Sequence, residues 1–288
     1  MTVSATKLTD PLLVNLGCGN RFHPAWLNLD LHSHAKEVRE CDLSKGIPLP
    51  EFSATAVYSA AVVEHIPRIN LRAYLAECFR ELKRGGIVRL SVPDFRRQVT
   101  AYLDAIKRAE AGVPRAAADH EWMILEIVDQ IGRNIGGGGM AAFFSGDGPS
   151  NLPFVVERIG EEGQILAQDL RGRHLSSDID LNASRNHLVR GGWVGRVLLK
   201  WLLRSRDLKT ELAALEVGRF RLTSGEVHQW VYDDWSLKQI LNDTGFTNLR
   251  TRAHGDSDIP EWESFLLEVD EFGSVRKPDL FVVEGIKP

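Results

Sequence analysis

The chain has 288 residues, 43% hydrophobic and 26% charged, the composition of a globular protein with material for one large domain or two modest ones. Its 39 acidic against 35 basic residues give a net charge of -4, which offers no general electrostatic pull toward nucleic acid or anionic lipid. Three cysteines, Cys18, Cys41 and Cys78, are odd in number and lack metal-ligand spacing, so neither a disulfide scaffold nor a metal centre is expected, and a reducing cytoplasm fits best.

Met1 to Pro11 has no apolar stretch behind a basic start, so no signal peptide is expected. No later run approaches the ~18 apolar residues of a membrane span. Residues 12–16 form a compact apolar run ending at Gly17, which predicts a buried parallel strand. Residues 27–31 and 38–42 are weaker strand candidates, each ending near an aspartate, and residues 56–60 are a fourth. A helix follows, with Leu71, Tyr74, Leu75, Cys78, Phe79 and Leu82 on one face, Asn70 as its cap and Gly85 as its stop. Residues 87–92 predict a fifth strand, stopped by Pro93. After a long interruption the alternation resumes, with a short helix over 236–243 ending at Gly245 and strands over 246–252 and 280–284.

Residues 96–227 break the alternation and read as helical around 98–111, 116–132, 155–170 and 193–204, with four glycines at 136–139 as a flexible joint or tight turn. The expected organisation is an α/β domain over 1–95 and 228–288, carrying a helical insertion over 96–227. Such an insertion would cover the carboxyl ends of the strands, where open α/β sheets bind ligands.

The strongest motif is Gly17-Cys18-Gly19 at the end of the first strand. Glycines let the backbone turn sharply there and approach a ligand closely. Asp30, ending the second strand, is placed to accept hydrogen bonds from two ribose hydroxyls. Asp42, ending the third, is placed to accept from an adenine amino group, with Leu43 against the ring. A nicotinamide-dependent oxidoreductase would want a third glycine where Phe22 stands.

Together these residues resemble the class I S-adenosylmethionine-dependent methyltransferases, and most closely their type-11 branch. The likeness is carried by the Gly-Cys-Gly turn, by Val63-Glu64-His65-Ile66 and by Glu81-Leu82-Lys83-Arg84-Gly85-Gly86. The run from Asn15 to Asp30, together with His228-Gln229-Trp230-Val231-Tyr232-Asp233 and Thr244-Gly245-Phe246, is similar to a bacterial subgroup associated with surface-polysaccharide synthesis. The resemblance implies a Rossmann-like, mostly parallel sheet with an antiparallel last strand. It also implies S-adenosylmethionine as cofactor and a sugar, nucleotide sugar or glycan intermediate as acceptor, with a hydroxyl as the favoured methyl acceptor. The cofactor residues it implies are Asn15, Gly17, Cys18, Gly19, Asp30, Leu31, Asp42, Leu43, Ser59 and Ala60. Asn15 stands where relatives often carry an acid, and Arg21 where they carry a third glycine. Arg21 would pair with the cofactor carboxylate or point to solvent. A cofactor-binding scaffold without catalysis is the second reading.

Only short connections separate the first three strands, fewer residues than the dozen or so a helical crossover needs. That side of the pocket is therefore expected to be open or covered by the insertion. Proton transfer from an acceptor hydroxyl calls for a base, and His228 is the first candidate, with His65 and Asp94 next. Asp233 would orient His228 or cap the late helix, and Tyr232 would bind an acceptor oxygen. The stripe Val194, Val197, Leu198, Trp201, Leu202, with Arg196, Lys200 and Arg204 behind it, reads as a core face or a peripheral membrane contact. Arg185, His187 and Arg190 are candidates to meet an anionic acceptor.

Overall fold

The computed structural model describes residues 11–33, 35–145, 148–175 and 206–288. Seven strands form one sheet in the order β3-β2-β1-β4-β5-β7-β6. They are β1 Leu13–Leu16, β2 Leu27–Asp30, β3 Val38–Glu40, β4 Ala54–Ala60, β5 Leu82–Pro93, β6 Thr247–Arg252 and β7 Leu280–Ile286. The first five pair in parallel, and β7 enters antiparallel between β5 and β6. This is the Rossmann-like sheet with an antiparallel last strand. β1 is buried at every residue because it lies in the sheet interior with both faces covered, which is why it reads as an unbroken apolar run rather than an alternation.

The two faces are covered differently. On one, α1 (Arg68–Glu81) and α8 (Asp234–Thr244) bury Leu71, Leu75 and Cys78 and Leu237 and Leu241 against Val14, Leu16, Val57 and Leu90. On the other, the long connection 253–279 between β6 and β7 lies against the sheet, with a short 3-10 turn at Trp262–Phe265. Trp262, Phe265 and Leu267 pack there with Trp26, Tyr58 and Leu13. The rings of Trp26, Tyr58 and Trp262 meet edge to face, with centroids 5.1 to 6.0 Å apart. This cover stands where crossover helices would, since residues 17–26 and 31–37 are too short to hold one. Fully buried Arg89 fastens the connection to the sheet. It donates to Glu268 at 2.6 Å, to Glu284 at 2.7 Å and to the carbonyls of Ala253, His254 and Asp256, with its guanidinium 4.2 Å over the Trp262 ring.

Residues after β5 form α2 (Phe95–Glu110), α3 (Ala116–Gly132), α4 (Gly138–Phe143), α5 (Leu152–Ile159), α6 (Glu161–Leu175) and α7 (Arg206–Thr223). Ala105, Trp122, Met123, Phe144, Val155 and Ile159 give them a core separate from the sheet's.

Several local expectations change. The helix expected over 71–82 starts at Arg68, with Pro67 at φ -51° and ψ 132° as its N-cap. It ends at Glu81, where Leu82 pairs with Ala54 and draws the chain directly into β5. Asn70 and Gly85 therefore do not bound it. The helix expected over 155–170 is two, broken at Gly160 with φ +59°. The glycines at 136–139 make a tied turn, with the Gly137 N–H donating to Glu226 and the Gly139 N–H to Asp129. Helix α7 was not anticipated. The helix expected over 193–204, and Arg185, His187 and Arg190, lie outside the described residues. Among the described residues no helix is long and apolar enough to cross a membrane.

Candidate active site

β1 delivers the chain into Gly17-Cys18-Gly19, whose glycines hold φ +65° and +50°. A side chain at Gly17 would stand 2.4 Å from Val62 Cγ2, so that position is closed to any larger residue. At Gly19 a Cβ would meet nothing within 4 Å, which keeps open space beside the turn. The turn is held from beneath. Asp30 Oδ2 accepts the Gly19 N–H at 2.8 Å and Oδ1 accepts the His32 N–H at 3.1 Å. Buried Asn15 donates from Nδ2 to the Arg21 carbonyl at 3.0 Å and to Asn28 Oδ1 at 3.1 Å.

A cavity of about 490 Å³ opens beside this turn. Its walls come from residues 15–21, from Tyr58, Ala60 and Ala61 of β4 and the turn after it, from α6 and from the 253–279 connection with Leu280. Ala61 holds φ +53°, a strained conformation for a residue with a Cβ, fixed by its N–H donating to the Ser91 carbonyl at 2.9 Å. The insertion reaches the cavity through α6, which contributes Glu161, Glu162, Ile165 and Leu166. Glu161 pairs with Arg21 at 2.5 Å and with Arg276 at 3.2 Å, joining the glycine turn, the insertion and the 253–279 connection at the cavity rim. Arg21 is thus turned to the insertion.

His254 and Glu268 line the same cavity, with His254 Nδ1 3.4 Å from Glu268 Oε2. Burial pushes the Glu268 carboxyl up, but hydrogen bonds from His254, Arg89 and Ser91 and the Arg89 charge overcome it and hold the group below the usual glutamate range. Glu268 is therefore a fixed carboxylate behind an imidazole on the cavity wall. Neither residue was expected from sequence, because residues 253–279 carry no helical or strand periodicity that would mark them as part of a site.

The expected cofactor residues divide by strand. Asn15, Gly17, Cys18, Gly19 and Ala60 line the cavity. Burial, with the Asp30 charge, pushes the Cys18 thiol up to about 12, so it stays protonated and unreactive. Asp30 supports the turn. Leu31 is exposed, and Leu43 packs against the core. Asp42 caps the short 3-10 turn at Leu43–Lys45, accepting from Ser44 and pairing with Lys45 at 2.9 Å. Ser59 is buried under α1 and accepts from the Tyr74 hydroxyl at 3.1 Å.

The expected catalytic residues lie outside the cavity lining. Asp94 caps α2, accepting the Arg97 N–H at 3.0 Å. Asp233 caps α8 through a reciprocal pair with Ser236, so it is not available to orient His228. His228 and His65 meet ring to ring at 4.8 Å beside buried Glu64. Burial, with the His65, Arg133 and Lys277 charges, pulls His228 down to about 3. Burial also pushes the Glu64 carboxyl up to about 8. The buried Tyr232 hydroxyl has no hydrogen-bond partner among the described residues.

The cavity suits S-adenosylmethionine on its own features. The open space at Gly19 admits a ligand against the backbone, the Arg276 and Lys277 cations can meet a carboxylate, and Glu161 and Glu162 can meet an ammonium or sulfonium. Residues 14–90 match the model of a methyltransferase domain. S-adenosylmethionine is the cofactor, and methyl transfer the activity, that this match supports. No curated protein matches the chain. Among solved structures, the chain is similar to a SAM-dependent methyltransferase from Archaeoglobus fulgidus, with 10% identity, 97% of this chain and 88% of that one covered, and a TM-score of 0.37. It is also similar to a possible histamine N-methyltransferase from Thermotoga maritima, with 10% identity, coverage of 98% and 84%, and a TM-score of 0.36. A third is Haemonchus contortus phosphoethanolamine N-methyltransferase 2 in complex with S-adenosyl-L-methionine, with 10% identity, coverage of 97% and 49%, and a TM-score of 0.35.

Proposed function

We propose that the chain is a cytoplasmic S-adenosylmethionine-dependent O-methyltransferase acting on a sugar, nucleotide sugar or glycan intermediate bound in the cavity. The observation that carries this reading is the His254–Glu268 pair on the cavity wall. Bound S-adenosylmethionine supplies an electrophilic methyl group and a thioether leaving group. What the protein must add is alignment, exclusion of water and a proton acceptor for the hydroxyl. With Nδ1 directed at Glu268, the His254 Nε2 is left to take that proton, and the carboxylate stabilises the imidazolium that results. His254 takes the part first expected of His228, because it borders the cavity and His228 does not. The acceptor class rests on the likeness of residues 15–30 and 228–246 to polysaccharide-associated enzymes.

Calorimetry with S-adenosylhomocysteine is expected to give micromolar binding, about -8 kcal/mol. Asp30→Ala, which releases the Gly19 N–H, should weaken it at least tenfold. Tight NAD binding without any response to S-adenosylhomocysteine would sink the assignment. With an acceptor found from a panel of nucleotide sugars, His254→Ala should lower turnover by about a hundredfold or more while cofactor affinity holds. Near-normal turnover of that variant would place the base elsewhere.

A further inference from the structure

Beside the cavity, Glu64 and His65 leave β4 in a short 3-10 turn, and His228 comes to meet them from the segment that closes the insertion. One ligand atom from each of the three lies within 4.8 Å of the others. Glu64 is 1% exposed, and among the described residues neither of its carboxylate oxygens has a hydrogen-bond partner. A buried carboxyl with both oxygens unsatisfied is costly and calls for a missing partner. His65 Nδ1 is 3.2 Å from the Val227 carbonyl, so its N–H donates there and the Nε2 lone pair is left 3.9 Å from Glu64 Oε1. A metal-bound histidine is oriented in this way, by giving its other N–H to a backbone carbonyl. The backbones are fixed as well. The Gln229 N–H donates to the Glu64 carbonyl at 2.7 Å, and the His228 N–H to the Gln130 carbonyl at 3.0 Å.

We propose that Glu64, His65 and His228 form a binding site for a divalent first-row transition metal of the zinc or iron(II) class. Two imidazoles and one carboxylate are the donor set such ions take when further coordination positions stay open. Two donors on one tetrahedral zinc stand about 3.4 Å apart, so side-chain turns of about an ångström close the site. The charges around it balance. Arg133 is neutralised by Asp129 at 2.5 Å and Glu226 at 3.3 Å, and Lys277 stands 3.8 Å from Glu162. The ion supplies the counter-charge that Glu64 lacks. Cysteine spacing does not reveal this site, because its ligands are two histidines and a glutamate, and Glu64 and His228 stand 164 positions apart in the chain. The inference does not depend on the proposed methyl transfer.

The full-length protein, stripped with a chelator and titrated with Co(II) alone, is expected to bind one equivalent and develop visible d–d bands. Its proton spectrum should show two shifted, exchangeable imidazole N–H signals. Glu64→Gln and His228→Ala should each weaken Co(II) binding by about a hundredfold or more, at least as much as loss of an outer partner costs. His254→Ala should bind Co(II) as the wild type does. Absence of a saturable equivalent, or wild-type Co(II) affinity in both ligand variants, overturns the proposal. Should either variant fail to fold, the wild-type spectrum decides, and signals from fewer than two imidazoles overturn it.

Discussion

Glu81 ends α1 with its side chain buried, one oxygen accepting from Arg80 at 3.0 Å and the other without a hydrogen-bond partner among the described residues. Burial outweighs the Arg80 charge and pushes its carboxyl up to about 8, against 4.5 ordinarily. Between those values the folded chain holds a proton that the unfolded chain has lost, so this group's contribution to stability falls as pH rises through that window. Glu81→Gln keeps the shape without the charge. The variant should therefore have the higher urea midpoint at pH 8, and the gap should shrink toward pH 4. Equal midpoints at pH 8 would mean the carboxylate is compensated in the fold. At this scale the sequence was most informative where backbone conformation itself is the requirement, as at Gly17 and Gly19. It was least informative for Asp30, Asp42 and Asp94. An aspartate at a strand end can serve a ligand or a backbone N–H, and in the fold all three are engaged with backbone N–H groups.

Gly160 divides α5 from α6 at φ +59°, and a Cβ there would stand 2.4 Å from the Arg276 carbonyl oxygen and 2.5 Å from Pro278 Cδ. The next N–H, of Glu161, donates to that same carbonyl at 2.9 Å. This contact sets α6 along the cavity. Gly160→Ala forces a side chain into an occupied space at an unfavourable φ, a cost of about 1–3 kcal/mol. It should lower the urea midpoint and also weaken S-adenosylhomocysteine binding, because α6 must shift. A stability loss with unchanged binding would show that α6 is not needed to form the cofactor pocket. The element pattern was legible for β1 and α8, where apolar spacing and a glycine stop agree, and for β4 and residues 87–92 of β5, where the apolar run alone marks the strand. It misplaced the ends of α1 because pairing of Leu82 with Ala54 outcompetes the last helical turn. It merged α5 with α6 because apolar spacing runs through Gly160 without interruption.

Among the described residues, the sheet and the insertion have separate apolar cores, and Glu161 joins the two through Arg21 and Arg276 at the cavity rim. Such an arrangement lets the insertion open without unfolding the sheet. Hydrogen exchange should therefore be faster in α5 and α6 than in β1 and β4, and bound S-adenosylhomocysteine should slow it in α6 as well as in residues 15–21. Protection confined to residues 15–21 would detach the insertion from ligand binding.

The sequence by itself determined the parallel sheet, the glycine turn and the absence of room for the first crossover helices. Each of these follows from local periodicity, backbone freedom or chain length. Only the tertiary structure decided what covers the face those helices leave bare. Arg89 draws an irregular connection onto it because a buried guanidinium must satisfy its donors, and that draws His254 and Glu268 to the cavity wall. The meeting of His228 with Glu64 and His65 is likewise a product of folding, since nothing local in the chain brings His228 to that turn.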